Sequence, residues 1–325
     1  KPNADKITKV KIDESFYDEY NDDIQNFKNL QTFIVSLYNF NKEDYSIVCF
    51  QIKNNRFNRL NTIKLQNVMI DEEIKLEIPS LKRLDLNNCY DDNQSINTII
   101  ITSSYPLENL NIFYMEYLDF LLIKCEVENI HLLGFNENCD SFTNVFLEQE
   151  VRNLHIEESL LNKIHIQDNI KNITLENMDY NDGLFEFNET IKYTLSTVEF
   201  NYVNFIEPLN KKMFDPKKIS ILNFKIISED MIHLIDAFNR TKYRGNEEKI
   251  IRLKNIQNIN IEFIIHHDLD ISFINKRLFR VINLIIKGEF IIVNETTSKE
   301  YKEIIKRRGI ISFTNNYIKI NNSRT

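Results

Sequence analysis

The stretch from Leu107 to Phe135 decides the fold. It reads LENLNIFYM at 107–115 and, twenty residues further on, VENIHLLGF at 127–135. In both copies the first, fourth and sixth residues are apolar and the residues between them are polar. Alternate residues of an extended strand point to opposite faces, so the fourth and sixth positions face a core and their neighbours face solvent. The two copies therefore predict two short strands of one sheet.

The same pattern recurs along most of the chain, at intervals of 19 to 26 residues until one wide gap. Its copies start at Leu60, Leu81, Leu107, Val127, Val151, Ile170 and Leu195, with weaker copies at Ile219, Ile256 and Phe279. A single coil of this kind cannot bury its apolar edge, so neighbouring coils must stack into one continuous core. The repeat predicts a solenoid.

This repeat resembles the leucine-rich repeat family over residues 57–290. The resemblance implies an α/β solenoid with a curved parallel β-sheet on its concave face and irregular or short helical segments on its convex side. The family usually has Asn or Cys three residues after the second strand leucine. Here this position is Val68, Cys89, Met115, Phe135, Ser159, Met178 and Val203. Repeat style and residue bias also resemble secreted or spore-associated leucine-rich repeat proteins of microsporidian parasites.

Helical caps are expected at both ends of the solenoid. Residues 1–56 form an N-terminal cap, with a helix over about 22–40 because apolar residues recur there at helical spacing, and a strand over about 46–52. Residues 57–290 contain about ten coils and a helical insertion over about 228–250. Residues 291–325 form a C-terminal cap with a helix and strands near 310–313 and 317–320. Segments 118–123 and 161–166 should be short extended or 3₁₀ pieces on the convex side.

Composition argues against several functional classes. The chain has 325 residues, a net charge of −8 and five glycines, and it contains no P-loop, GxGxxG, GxSxG or HExxH motif. We predict that it is not an enzyme and needs no cofactor. An acidic body repels nucleic acid. No apolar run approaches the ~18 residues of a membrane span.

Charge is distributed unevenly. Residues 126–199 contain fifteen acidic and four basic side chains, whereas the sequence from Arg252 onward contains thirteen basic and seven acidic ones. The candidate basic patch consists of Lys276, Arg277, Arg280, Lys306, Arg307 and Arg308. Opposite charges of this kind could attract two copies of the chain, which predicts a homodimer.

The outward strand positions are the candidate partner-binding surface. They are Lys64, Arg83, Asp85, Asn109, Asn111, Asn129, His131, Asn153, His155, Asn172, Thr174 and Glu199. Consecutive asparagines at equivalent positions should stack one strand apart and hydrogen-bond along the sheet. His131 and His155 should be neighbours, with Glu157 as the nearest further ligand. Ordinary surface histidines are the prediction there, a pH-sensitive contact is the alternative, and no metal site is predicted.

Cysteines and sequons leave the compartment open. Cys49, Cys89, Cys125 and Cys139 show no CxxC pair, which favours buried free thiols. Candidate glycosylation sites are Asn93, Asn188, Asn239 and Asn294.

Together these observations predict a non-enzymatic protein–protein interaction protein, secreted or on a spore or cell surface, that binds host or other surface components. The alternative is an intracellular adaptor, such as the substrate receptor of a ubiquitin ligase.

Overall fold

A computed structural model describes residues 4–12, 27–36, 58–68, 70, 72–89, 97–136, 142–180, 183–188, 195–205, 221–227, 258–264, 291–293, 310–314 and 317–323. Within them the chain is a parallel β-solenoid. It divides into two compact units, Lys1–Ile170 and Lys171–Thr325.

The first unit is built almost entirely from short strands. After a 3₁₀ turn at Ala4–Lys6, its strands are β1 (Lys9–Ile12), β2 (Thr32–Ser36), β3 (Thr62–Gln66), β4 (Glu73–Leu76), β5 (Arg83–Asn87), β6 (Thr98–Ser103), β7 (Leu107–Phe113), β8 (Phe120–Lys124), β9 (Val127–Leu133), β10 (Thr143–Leu147), β11 (Val151–Glu157) and β12 (Leu161–Ile166). From β3 onward they alternate between two sheets, so that five consecutive turns contribute one strand to each.

All neighbouring strands of these two sheets are parallel. The first sheet has the order β1-β2-β3-β5-β7-β9-β11. The second sheet has the order β4-β6-β8-β10-β12. A parallel pair needs a crossover connection, which the other sheet supplies here in place of a helix.

Aliphatic ladders fill the space inside each turn. In the first sheet the ladder residues are Ile63, Leu65, Leu84, Leu86, Leu110, Ile112, Ile130, Leu132, Leu154 and Ile156, all at most 1% exposed. In the second sheet, Ile99, Ile101, Leu121, Ile123, Val145, Leu147, Ile164 and Ile166 are buried equally well. Burial of each such side chain stabilises the fold by about 1.5–3 kcal/mol, so stacking is the main source of stability.

A left-handed backbone residue ends each first-sheet strand from β3 to β11. The values of φ are 53° at Asn67, 49° at Asn88, 53° at Tyr114, 68° at Gly134 and 46° at Glu158. These residues lie two positions after the last buried residue of the strand. Residues other than glycine adopt this conformation rarely because the Cβ atom crowds the following carbonyl. The solenoid therefore imposes this corner on whatever residue occupies it.

The corners stack through backbone hydrogen bonds. The N–H groups of Asn67, Asn88, Tyr114 and Gly134 donate to the carbonyl oxygens of Asn87, Phe113, Leu133 and Glu157 in the next turn, over 2.7–3.1 Å. The residue after each corner points inward and is at most 4% exposed from Val68 to Ser159. At this position, where the resembled family usually has Asn or Cys, the buried residues are Val68, Cys89, Met115, Phe135 and Ser159. At Ser159 the hydroxyl accepts the Phe135 N–H over 3.2 Å.

Asn136 and Thr143 form a fully buried polar cluster in the fourth turn. Both residues are 0% exposed. The Asn136 Nδ2 donates to the Leu118 carbonyl over 3.0 Å and to the Thr143 hydroxyl over 2.9 Å, and its Oδ1 accepts the Leu118 N–H over 3.1 Å. A buried polar group without partners would cost several kcal/mol. This cluster therefore fixes how β8 and β10 enter the second sheet.

The second unit continues with strands of the same type. They are β13 (Ile170–Glu176), β14 (Asp179–Tyr180), β15 (Phe185–Phe187), β16 (Thr197–Asn201), β17 (Asn204–Phe205), β18 (Ile221–Ile227), β19 (Asn258–Ile264), β20 (Ile291–Val293), β21 (Ile310–Thr314) and β22 (Tyr317–Ser323). Parallel pairing joins β13, β16, β18 and β19 in that order. Antiparallel pairing then joins β19 to β22 and β22 to β21.

The structure confirms several of the predicted strands and contradicts part of one predicted helix. Parallel strands stacked as a solenoid are confirmed, and the convex-side segments at 118–123 and 161–166 are extended, as β8 and β12. β21 and β22 coincide with the two strands predicted at the C-terminal end. Part of the predicted helix over 22–40 is wrong, because Thr32–Ser36 is β2 and pairs with β1 and β3. Phe33 and Val35, on alternate positions, are buried there.

The remaining fold predictions concern helices. The described residues contain a 3₁₀ turn and no α-helix, so an α/β class with helical caps stays a prediction. The strand over 46–52, the insertion over 228–250 and the helix in 291–325 lie outside the described residues. The structure has about six turns of solenoid, compared with the ten coils counted along the sequence.

Candidate functional site

The outward positions of β3, β5, β7, β9 and β11 form one surface, which we call the polar face. It consists of Lys64, Arg83, Asp85, Asn109, Asn111, Asn129, His131, Asn153 and His155. Parallel pairing aligns Lys64, Asp85, Asn111, His131 and His155 in one row across the sheet. Arg83, Asn109, Asn129 and Asn153 form the second row. The sequence-predicted surface is thereby assembled for these nine residues.

Asp85 is the most deeply buried residue of the polar face, at 7% exposure. Three strands supply its partners. Its carboxylate accepts hydrogen bonds from the Arg83 Nε over 2.8 Å and from the Asn111 Nδ2 over 2.6 Å, and it forms an ion pair with the Lys64 Nζ over 2.8 Å. A carboxylate with three donors is stabilised in its charged form.

The pKa of Asp85 reflects two opposing effects. Burial alone would raise it, because a low-dielectric environment disfavours the charged carboxylate. Hydrogen bonds from Arg83, Lys64 and Asn111 outweigh burial and hold the pKa below its ordinary value of 3.8. Asp85 therefore stays ionised at neutral pH and locks three neighbouring strands together.

The asparagines in the middle of the polar face hydrogen-bond along the sheet. The Asn153 Nδ2 donates to the Asn129 Oδ1 over 2.6 Å. The Asn129 Nδ2 donates to the Asn109 Oδ1 over 3.4 Å and to the Glu108 carbonyl over 3.0 Å. This confirms the predicted hydrogen bonding along the sheet for Asn109, Asn129 and Asn153. In the second unit, Asn172 accepts a hydrogen bond from the Ser196 hydroxyl over 3.2 Å.

An aromatic and imidazole cluster occupies the β9–β11 end of the polar face. The rings of His131 and His155 are stacked, with centroids 4.4 Å apart and planes inclined by 2°. The ring of Phe113 packs edge to face against the His131 ring, with centroids 5.1 Å apart. The Glu157 Oε2 lies 3.4 Å from the His131 Nε2. Two imidazoles and a carboxylate are thus brought together by two neighbouring strands.

Other predicted site residues lie elsewhere. Thr174 and Glu199 are register partners on β13 and β16 of the second unit. The candidate basic patch lies outside the described residues; its members are Lys276, Arg277, Arg280, Lys306, Arg307 and Arg308. The sequons at Asn93, Asn239 and Asn294 lie outside them too. Asn188 is exposed directly after β15. A glycan on Asn188 would therefore meet solvent.

Two thiols among the described residues of the first unit match the predicted buried, free state. Cys89 and Cys125 are buried and free. Burial raises the pKa of each thiol to about 12, because it disfavours the thiolate. Cys49 and Cys139 lie outside the described residues. No covalent chemistry is assigned to Cys89 or Cys125.

Sequence reasoning missed an aromatic row on the outward face of the second sheet. The ring of Phe146 stacks on His165 with centroids 4.1 Å apart, and it contacts the ring of Phe120 at 4.8 Å with the planes inclined by 35°. The signal is present as alternation of buried and outward residues in β8, β10 and β12.

Asp85→Asn tests the polar face energetically, since it removes the charge and keeps the shape of the side chain. At neutral pH we expect the free energy of unfolding to fall by about 1–2 kcal/mol, because Lys64 and Arg83 lose their shared counterion. A depressed folded-state pKa means that this stabilisation is present above the unfolded pKa and is lost as the pH falls through the folded value. Urea unfolding of both proteins should show a constant difference above about pH 5 that vanishes in strong acid.

The matched control is Glu128→Gln. Glu128 pairs with Arg152 over 3.2 Å, and both side chains are about half exposed, so its loss should cost less than about 0.5 kcal/mol. An equal cost for the two variants, or a difference that grows in acid, would contradict the assigned role of Asp85.

Comparison with known proteins identifies no family for this chain. No family model, no curated protein and no solved structure matches the chain. Among the described residues, no helix has the length and apolar character required to cross a membrane. The function is therefore inferred from the parallel pairing of the strands and from the geometry of the polar face.

Proposed function

We propose that this chain is a non-enzymatic protein–protein interaction protein that binds its partner through the polar face. The observation that carries the proposal is the cross-strand side-chain network on that face. Side chains from neighbouring strands are held together by the Asp85 ion pairs, the asparagine hydrogen bonds and the imidazole stack. These contacts order side chains before any partner arrives.

Preordering of this kind favours binding. A partner that meets flexible surface side chains must immobilise them, at about 0.5–1.5 kcal/mol for each one. The residues of the polar face are already half-buried or, in the case of Asp85, fully buried. Much of that entropy has been lost on folding, so a larger part of the contact energy contributes to affinity.

Chemical variety along the face supports a protein rather than a nucleic acid partner. The row begins with Lys64 paired to Asp85, continues through amides and ends with His131 and His155 beside Glu157. Nucleic acid binding requires clustered cations that stay available for phosphate. Here the Asp85 carboxylate pairs with both Lys64 and Arg83, which leaves these three side chains with a net charge of only +1. Amide donors and acceptors suit the polar groups of a protein surface.

Two matched asparagine pairs allow a controlled test. A photo-crosslinking residue in place of Asn129 first captures the partner from the source organism, and the recombinant partner is then titrated against purified variants. Asn129→Ala/Asn153→Ala should weaken binding at least about tenfold, corresponding to about 1.4 kcal/mol. Asn144→Ala/Asn162→Ala removes an equivalent 2.8 Å amide pair from the second sheet and should leave the affinity unchanged. Equal effects of the two double variants would contradict the proposal.

We also propose a divergent leucine-rich repeat lineage and a secreted or spore-surface location. The repeat spacing and the parallel stacking of inward Leu and Ile residues support the lineage, and the resemblance to microsporidian surface proteins supports the location. Immunogold labelling of the native protein in its source organism tests the location. Label on the wall or surface is expected. Label confined to the cytosol or nucleus would contradict it and would favour the intracellular adaptor.

A further inference from the structure

We propose that His131, His155 and Glu157 form a binding site for a transition-metal ion of the Zn²⁺ class. The ligand atoms of these three side chains lie within 4.8 Å of one another. Among the residues that the structure describes, these three form a group of His and Glu side chains close enough together to hold a metal ion. This inference does not depend on the proposed protein partner, because all three ligands come from this chain.

The backbone places the three ligands without any loop. His131 on β9 and His155 on β11 are direct register partners, so their Cα atoms are about one strand spacing, ~4.8 Å, apart. Glu157 follows His155 by two residues and therefore emerges from the same face of the same strand. Ligands on paired strands are held more firmly than ligands on loops, which reduces the entropy lost on metal binding.

One distance within the cluster already matches the size of a zinc site. Zinc is bound at about 2.0–2.1 Å by nitrogen and about 2.0–2.2 Å by carboxylate oxygen, which makes the edge of a tetrahedron about 3.4 Å long. The His131 Nε2 and the Glu157 Oε2 are 3.4 Å apart. The third ligand, His155, needs a rotation of its imidazole toward this edge, since the two rings now lie parallel.

Ligand chemistry selects the class of metal. Two imidazole nitrogens favour Zn²⁺, Co²⁺, Ni²⁺ or Cu²⁺, whereas Ca²⁺ and Mg²⁺ prefer sites built from oxygen. In the first unit, the sequence from 126 to 170 contains nine acidic and two basic residues, and this negative charge attracts a cation. Phe113 packs against His131 and limits the orientations of that ligand.

Three protein ligands leave at least one coordination position open. Structural zinc sites are usually closed by four protein ligands, and open sites hold water or another molecule in the fourth position. His131 and Glu157 keep 29% and 25% of their side-chain surface exposed. The Nε2 atoms of His131 and His155 are nevertheless buried.

Protonation of His131 is the alternative explanation for the close approach of His131 and Glu157. Protonation of His131 would form an ion pair with Glu157 and would not require His155. A metal ion requires all three side chains. His155→Asn therefore separates the two explanations, and as an outward-facing, half-buried position it tolerates a polar replacement.

The experiment titrates Zn²⁺ into the purified, metal-stripped full chain by calorimetry, with Co²⁺ absorption as the spectroscopic readout of geometry. Wild-type protein should bind one ion with tetrahedral Co²⁺ bands. His155→Asn and Glu157→Gln should each lower the affinity by more than about tenfold, since loss of a supporting group alone costs about 10–100-fold. Circular dichroism confirms that both variants are folded.

Two controls make the result decisive. His165→Asn removes the histidine that stacks on Phe146 of the second sheet and should bind Zn²⁺ like wild type. His266→Asn/His267→Asn removes the other histidine pair of the sequence and should also retain the site. The proposal is overturned if wild-type protein binds no Zn²⁺ at about 100-fold molar excess, or if His155→Asn binds as tightly as wild type.

Discussion

The left-handed corner at the end of each first-sheet strand is the constraint on which the first unit depends. It turns the chain out of the first sheet, and from Asn67 to Gly134 its N–H group donates to the carbonyl of the residue just before the corner of the next turn. The next residue then enters the core. Because every turn makes the corner at the same position, all five strands keep one register. A shift of one residue would reverse every side chain between core and solvent.

The polar face is a direct consequence of that register. Lys64, Asp85 and Asn111 can meet only because equivalent positions of three strands are aligned. The same alignment stacks the two imidazoles and brings Glu157 to them. These side chains are therefore organised by the backbone of the solenoid, and each network in turn joins strands that are far apart in sequence.

Sequence periodicity is sufficient to predict the first-sheet strands from β3 to β11 and their outward residues. Period-two alternation within each repeat identifies both the buried Leu and Ile residues and the polar rows. The second sheet is harder to predict, since its strands are short and their spacing varies, and a β-crossover replaces the helix that usually covers a parallel sheet.

Thr32–Ser36 resembles a helix in the sequence because apolar residues at 30, 34 and 37 imitate helical spacing. The buried apolar residues of the strand are in fact Phe33 and Val35. Corners are not predictable from residue type: glycine and asparagine favour a left-handed conformation, yet the corners also include Tyr114 and Glu158. The metal ligands are only partly visible in the sequence, because the distance from His131 to Glu157 depends on side-chain conformation.

Gly134 allows the most direct measurement of the corner constraint. Its φ is 68°, and a Cβ atom there would lie 2.6 Å from the Cδ1 of Tyr114. Gly134→Ala should lower the free energy of unfolding by at least about 1–2 kcal/mol, from left-handed strain and the displaced ring. Glu158→Ala, at the next corner, exchanges one non-glycine residue for another and should change it by less than about 0.5 kcal/mol. Equal costs for the two variants in urea unfolding would contradict the account.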